Sequence, residues 1–176
     1  MLYDVAGNNI YPMGIFTSAL VQKNLVVNPR RSYKMYESDL IPAGIRLDGP
    51  MNLVLKNRIG GAQYNGIWGE FTRKKDGYRD CPWGLPFVVF SGNTVHSARN
   101  GIYFTQISSR SASCQNINLR RPSSVVTFLT TFSNLNIYRN RVTGLFIRNA
   151  GYFALYGSAF ADNKVGAWIR FASLAK

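Results

Sequence analysis

A short glycine-led phrase returns along this chain: Gly44-Ile45-Arg46-Leu47, Gly66-Ile67-Trp68, Gly101-Ile102-Tyr103-Phe104, Gly144-Leu145-Phe146-Ile147 and Gly166-Ala167-Trp168-Ile169. Gly44 and Gly66 lie 22 residues apart, and so do Gly144 and Gly166. From Gly66 to Gly101 is 35, one such step plus an insertion that the polar stretch Thr72 to Pro86 supplies. From Gly101 to Gly144 is 43, nearly two steps. Gly14-Ile15-Phe16 sits 30 before Gly44, one step plus an insertion around Arg30 to Asp39. Short glycine-marked strands repeating near every 22 residues are what one coil of a parallel β-helix requires. The spacing predicts Gly44, Gly66, Gly144 and Gly166 in register along one edge, with Gly101 in the same series. It predicts one all-β domain over residues 1–176, of about six to seven coils, with inserted loops at roughly 30–39 and 72–86.

Composition agrees. The chain is 46% hydrophobic, enough for a core, and its apolar residues alternate in short runs such as Phe87 to Phe90 and Gly151 to Tyr156. No long stretch carries an i, i+3, i+4, i+7 apolar face, and no run reaches the 18 apolar residues of a membrane span. Sixteen glycines and 16 asparagines suit tight turns, because both tolerate left-handed backbone. Asn57, Asn93 and Asn136, and by extension Asn163, fall a few residues before a repeat glycine. They are expected to stack as ladders that satisfy turn backbone groups.

The net charge of +13 speaks to partners rather than to fold. A solvated outer face of a repeat protein and a surface for a polyanion both fit it. Basic clusters stand at Arg73-Lys74-Lys75, Arg120-Arg121, and Arg139 with Arg141, without any recognisable nucleic-acid module. Arg73, Lys74, Lys75, Arg79 and Trp83 share one insertion that interrupts the repeat, so they form the expected ligand-contact patch on a loop held by a rigid scaffold. Trp68 and Trp168 follow repeat glycines and read as core or stacking positions.

Catalytic and metal signals are sparse. Asp48 and Glu70 each follow a repeat glycine by four residues, which in a β-helix would stack them about 5 Å apart. They are the one candidate carboxylate pair, and His96, the only histidine, is a further acid/base candidate. One histidine and two cysteines make no metal signature, and no cofactor is expected. Cys81 and Cys114 both lie in loop-like segments, where a disulfide or two separate thiols remain open. The first residues lack a secretory leader's basic start and apolar core, and none of the asparagines heads an N-glycosylation triplet. With no capping element legible at either end, the reading is a segment of a larger protein or a subunit whose ends neighbours cover.

Four phrases resemble the β-helix coils of one family, in that family's order, across about residues 50 to 170. Pro50-Met51-Asn52-Leu53-Val54-Leu55-Lys56-Asn57-Arg58-Ile59-Gly60-Gly61 with Gly66-Ile67-Trp68 is the first. Phe90-Ser91-Gly92-Asn93-Thr94-Val95-His96-Ser97 with Gly101-Ile102 is the second. Phe132 to Gly144, containing Tyr138-Arg139-Asn140-Arg141, is the third, and Phe160 to Gly166 the fourth. The family comprises fibrocystin, fibrocystin-like proteins and the cell-surface and secreted hyaluronan-depolymerising proteins. The resemblance implies a right-handed parallel β-helix joined elsewhere to a G8 domain, and an extracellular or cell-surface setting. No G8-like segment is present here. The family's hyaluronan-degrading residues have no matching motif here.

The expected function is a non-catalytic β-helix segment for adhesion or binding of acidic polysaccharide. Two alternatives stand beside it: part of a hyaluronan-depolymerising enzyme, and a basic structural subunit of a large intracellular assembly. Expected partners are a polyanionic glycan or other parts of the parent protein, with nucleic acid a lesser candidate.

Overall fold

The computed structural model describes residues 1–12, 18–32, 41–71, 87–107 and 129–171. Sixteen strands and no helix make up these residues, and every strand pairing is parallel. Sheet I holds β2 (Leu20–Gln22), β5 (Leu53–Leu55), β8 (Val89–Ser91), β11 (Thr130–Ser133) and β14 (Phe153–Tyr156). Sheet II holds β1 (Leu2–Tyr3), β3 (Leu25–Val27), β6 (Arg58–Gly60), β9 (Thr94–His96), β12 (Asn136–Tyr138) and β15 (Ala159–Ala161). Sheet III holds β4 (Ala43–Leu47), β7 (Asn65–Gly69), β10 (Asn100–Ile107), β13 (Thr143–Ala150) and β16 (Val165–Phe171). The chain visits sheets I, II and III in turn and steps up one rung each time. This is the parallel β-helix that the glycine spacing predicts.

The five repeat glycines stack as predicted. Ile45 pairs with Ile67, Ile67 with Ile102, Ile102 with Leu145 and Leu145 with Ala167, so the glycine before each stands in one column. None of the five has the left-handed backbone for which glycine is usually kept. Their reason is close approach: a Cβ on Gly66 would lie 2.7 Å from the Gly101 carbonyl oxygen and 2.2 Å from the Val95 side chain. Each glycine marks the corner where the chain leaves sheet II for sheet III and passes over an inward side chain of sheet II.

Gly101 and Gly144 are neighbours in that column, so their spacing is one long turn and not two. The extra residues fall between β10 and β11, a third insertion beyond the two expected. The described residues therefore make five complete turns plus a partial one at the start, in which β1 pairs with β3 and Ile10 bridges to Ile45. Residues 33–40, 72–86 and 108–128 lie outside the described residues, and with them most of the inserted segments.

Left-handed backbone is concentrated at two corners. Lys23, Lys56, Gly92, Asn134 and Gly157 follow the five strands of sheet I, and all have positive φ. Asp4, Asn28, Gly61, Ser97, Arg139 and Asp162 do the same after the six strands of sheet II. Six of these eleven positions (Asp4, Lys23, Lys56, Ser97, Arg139 and Asp162) are neither glycine nor asparagine. The conformation costs an L-residue roughly 1–2 kcal/mol. Rung-to-rung hydrogen bonds hold it in place, such as Lys56 N–H to Ser91 O at 2.9 Å and Arg139 N–H to Ala161 O at 3.0 Å.

The interior is apolar and in register. Sheet I contributes Val21, Val54, Phe90 and Phe132, and sheet II contributes Val26, Ile59, Val95 and Ile137, each nearly or fully buried. A strand of three residues can aim only one side chain inward, because successive residues face opposite sides. Aromatic rings fill the wider part of the core. Phe87 meets Phe90, Phe104 and Phe132 edge-on at centroid distances of 5.2 to 5.5 Å. Burying a side chain of this size contributes about 1.5–3 kcal/mol. No helix among the described residues is long and apolar enough to cross a membrane.

Candidate ligand-binding face

Asparagine ladders occupy the corners, with a membership different from the predicted one. Asn57 and Asn93 belong, and Asn24 joins them. The Asn24 and Asn57 backbone N–H groups donate to the Oδ1 of Asn57 and Asn93 respectively, both at 3.0 Å. Asn136 does not belong: it is exposed on β12, and Leu135 takes the ladder position, its N–H donating to Ser158 Oγ at 3.1 Å. A second ladder runs from Ala98 through Asn140 to Asn163. Asn65, Asn100 and Thr143 link directly before the glycine column. These side chains are consumed by the fold.

The outward side of sheet III carries the column set two residues after each repeat glycine: Arg46, Trp68, Tyr103, Phe146, Trp168. Tyr103 stacks on Phe146 at 4.6 Å and 6°, and Phe146 on Trp168 at 4.3 Å and 17°. At its other end the Arg46 guanidinium lies between the rings of Tyr11, 4.8 Å away, and Trp68, 4.4 Å away. Trp68 and Trp168 are thus stacking residues, the first only 6% exposed and the second 42%. The rings cover one another's faces, so most of this column offers edges rather than flat platforms.

The candidate carboxylates Asp48 and Glu70 each stand one residue beyond the last pair of β4 and β7, Leu47 with Gly69. Asp48 is committed elsewhere. The Tyr11 hydroxyl donates to it, at 2.8 Å from each carboxylate oxygen, and Arg46 Nε stands 3.9 Å away. This ties the first partial turn to sheet III. Tyr11→Phe should cost about 1.5–3 kcal/mol, a hydrogen bond to a charged acceptor. Urea denaturation measures it; an unchanged midpoint would mean the hydroxyl does not latch the first turn.

Among the basic clusters, Arg141 is exposed but lies back along the surface onto backbone carbonyls. Its guanidinium donates to the carbonyls of Ser97, Ala62 and Gln63 at 2.9 to 3.1 Å, clamping three turns together. Arg139 faces solvent, 3.9 Å from Asp162. Arg73, Lys74, Lys75, Arg79 and Trp83, with Cys81, Cys114 and Arg120-Arg121, lie outside the described residues. The connections holding residues 72–86 and 108–128 both run from sheet III to sheet I.

The outward side of sheet II brings shape and polarity together. Its strands present Leu25, Arg58, Thr94 and Asn136 in one column and Val27, Gly60, His96 and Tyr138 in the next. Between them lies an open groove of about 570 Å³ spanning four turns. His96 shapes it. Its ring stacks on Tyr138 at 5.0 Å and 13°, and its Nδ1 is in hydrogen-bond contact with Ser97 Oγ at 3.1 Å. A Cβ on Gly60 would lie 2.7 Å from His96 Cε1 and 2.9 Å from Nε2. Glycine at 60 therefore lets the imidazole lie down across the neighbouring strand, over the Gly60 backbone.

Beside this groove, at the corner between sheets I and II, Lys23 and Lys56 occupy matching positions on successive turns, and Arg58 follows two residues on. The sequence phrases contained Arg58, Thr94 and Tyr138, but only the register puts them on one face. Stepping one residue either side of the inward Val95 would have found His96 and Thr94 there.

Among the described residues, no three His, Cys, Asp or Glu side chains gather to hold a metal ion. No protein-family model, curated protein or solved structure matches this chain.

Proposed function

We propose that this chain is a non-catalytic β-helix segment that binds acidic polysaccharide, in an extracellular or cell-surface protein. One observation carries the reading: Lys23 and Lys56 stand at matching corners of two consecutive turns, with Arg58 on the second of them, and no carboxylate among the described residues pairs with any of the three. Of the described acids, Asp4, Asp48 and Asp162 stand instead against Arg30, Tyr11 with Arg46, and Arg139. Rungs of a parallel sheet lie about 4.8 Å apart, so these three cations gather on two neighbouring rungs and make a local positive field for the anionic groups of a polymer. The overall charge of +13 works in the same direction, raising the local concentration of any polyanion. The four family-like phrases support the extracellular setting.

Binding is favoured over cleavage by the placement of the acid/base candidates. Asp48 follows a strand of sheet III and is held by Tyr11, while His96 sits in sheet II and stacks on Tyr138. The test is retention on heparin and hyaluronan columns. We expect binding at low salt that weakens about tenfold or more on approaching physiological salt, because exposed charges are screened. Absence of retention, or shortening of hyaluronan by the purified chain, would overturn the reading.

A second reading, a structural subunit of a larger assembly, is favoured by one observation. The partly buried apolar residues packed on the core, Leu2, Ile10, Phe153, Leu155, Phe160 and Ile169, all belong to the two end turns. Co-purification in a stable complex would discriminate it.

A further inference from the structure

We infer that the groove on sheet II seats a uronate-bearing oligosaccharide lying along the helix axis, with Arg58 reading the carboxylate; this rests on the polysaccharide reading above. The groove spans three rung steps, about 14 Å, long enough for a few sugar rings end to end. Arg58 is exposed at its edge, and a guanidinium forks onto a carboxylate through two parallel N–H donors. Lys56, on the corner two residues before it, adds charge without competing for the same geometry.

Along the same side of the groove as Arg58, Thr94 and Asn136 offer a hydroxyl and an amide to sugar hydroxyls. The amide both donates and accepts, as a polyol requires. Asn136 is free for this because Leu135, not Asn136, fills the ladder position. An asparagine that the sequence marks for turn chemistry is thereby delivered to the groove.

The aromatic pair selects against a nucleic acid in the same place. Single-stranded nucleic acid binds by stacking its bases on open ring faces. His96 has one face on Tyr138 and lies over Gly60. What it gives the groove is the edge of its ring, with no face open to a base. The ring lies there only because residue 60 has no side chain: the Gly60 backbone is not left-handed, so alanine fits the strand but pushes the imidazole up into the groove.

The test measures affinity for hyaluronan oligosaccharide, heparin oligosaccharide and single-stranded DNA of similar charge, using the whole chain and its variants. Arg58→Ser should weaken hyaluronan binding about tenfold, the loss of one charge-assisted hydrogen-bonded pair. Asn136→Ala should weaken it several-fold. Gly60→Ala should weaken it in the natural background and have no further effect once His96→Ala is present, because the two act through one contact. Arg148→Ser and Arg170→Ser, both exposed on sheet III, should leave it unchanged.

If the natural chain binds none of the three probes, the polysaccharide reading itself fails. If it binds hyaluronan and the groove variants bind equally well, the groove is overturned while that reading stands. The groove is likewise overturned if only the triple change of Arg73, Lys74 and Lys75 to Ser abolishes binding. Preference for DNA lost with Arg58 would overturn the uronate assignment. Thermal melts of each variant guard against misfolding. Should Gly60→Ala not fold, the two substitutions at the exposed residues Arg58 and Asn136 decide alone.

Discussion

Gly101→Ala is expected to destabilise the fold by about 3 kcal/mol or more, lowering the melting temperature by roughly 10 °C. The backbone at Gly101 is not left-handed, so alanine has no conformational objection to the site. The objection is space. Its Cβ would lie 2.5 Å from the Gly144 carbonyl oxygen, 2.7 Å from Ile137 Cγ2 and 3.0 Å from Asn140 Nδ2. None of these groups can simply swing away: the carbonyl belongs to the next rung's backbone, Ile137 is fully buried, and Asn140 is bonded to Ala98 and Asn163. Relief requires prising two rungs apart. The opposing gain, a less flexible unfolded chain, is only about 0.4–1 kcal/mol.

Gly166→Ala supplies the contrast. It stands in the same column, but on the last described turn, where the nearest atom to a new Cβ is Phe160 Cβ at 3.6 Å. That is ordinary contact, and the change should stay within about 1 kcal/mol of neutral. Denaturant titration of both variants measures the difference. Equal tolerance of the two substitutions would mean that close approach is not why glycine recurs.

Asn93→Ala should cost about 3 kcal/mol. The side chain is fully buried, and its Oδ1 accepts from both the backbone N–H and the Nδ2 of Asn57 at 3.0 Å, while its Nδ2 donates to Val54 O at 2.9 Å. Alanine strands the Asn57 N–H and takes a partner from the Val54 carbonyl, in a tightly packed apolar core. A stranded buried polar group costs about 1–3 kcal/mol. Asn136→Ala, by contrast, should lie within about 0.5 kcal/mol of the natural chain, as exposed substitutions do. Thermal or urea melts of the pair separate the observed ladder from the one the sequence suggested. Comparable losses from both would put Asn136 back into the ladder.

The amino-acid sequence determined the repeating unit and hence the fold class. A glycine-led phrase that recurs at steps of 22 residues or more, each followed by alternating apolar residues, leaves few ways to bury the apolar side other than stacking the units. The same phrases placed Gly44, Gly66, Gly101, Gly144 and Gly166 in one column, because a sterically required glycine recurs wherever the same corner recurs. What the sequence misjudged was how much chain one turn holds. The interval from Gly101 to Gly144 equals nearly two steps in length, and length alone cannot distinguish two turns from one turn with an insertion; only the pairing of Ile102 with Leu145 decides it. Asparagine identity was equally ambiguous, since Asn134 and Asn136 flank the ladder position that Leu135 fills. A shift of one residue exchanges a buried turn position for an outward strand position.

The candidate site belonged almost wholly to the tertiary structure. Arg58, Gly60, Thr94, His96, Asn136 and Tyr138 come from three different turns, separated by tens of residues, and no local pattern joins them. Parallel register does, because it aligns every second residue of each short strand on one outer face. Six corner residues that are neither glycine nor asparagine adopt left-handed backbone for the same reason. Their conformation is imposed by hydrogen bonds to neighbouring rungs rather than by their own preference, so only the assembled rungs could reveal it.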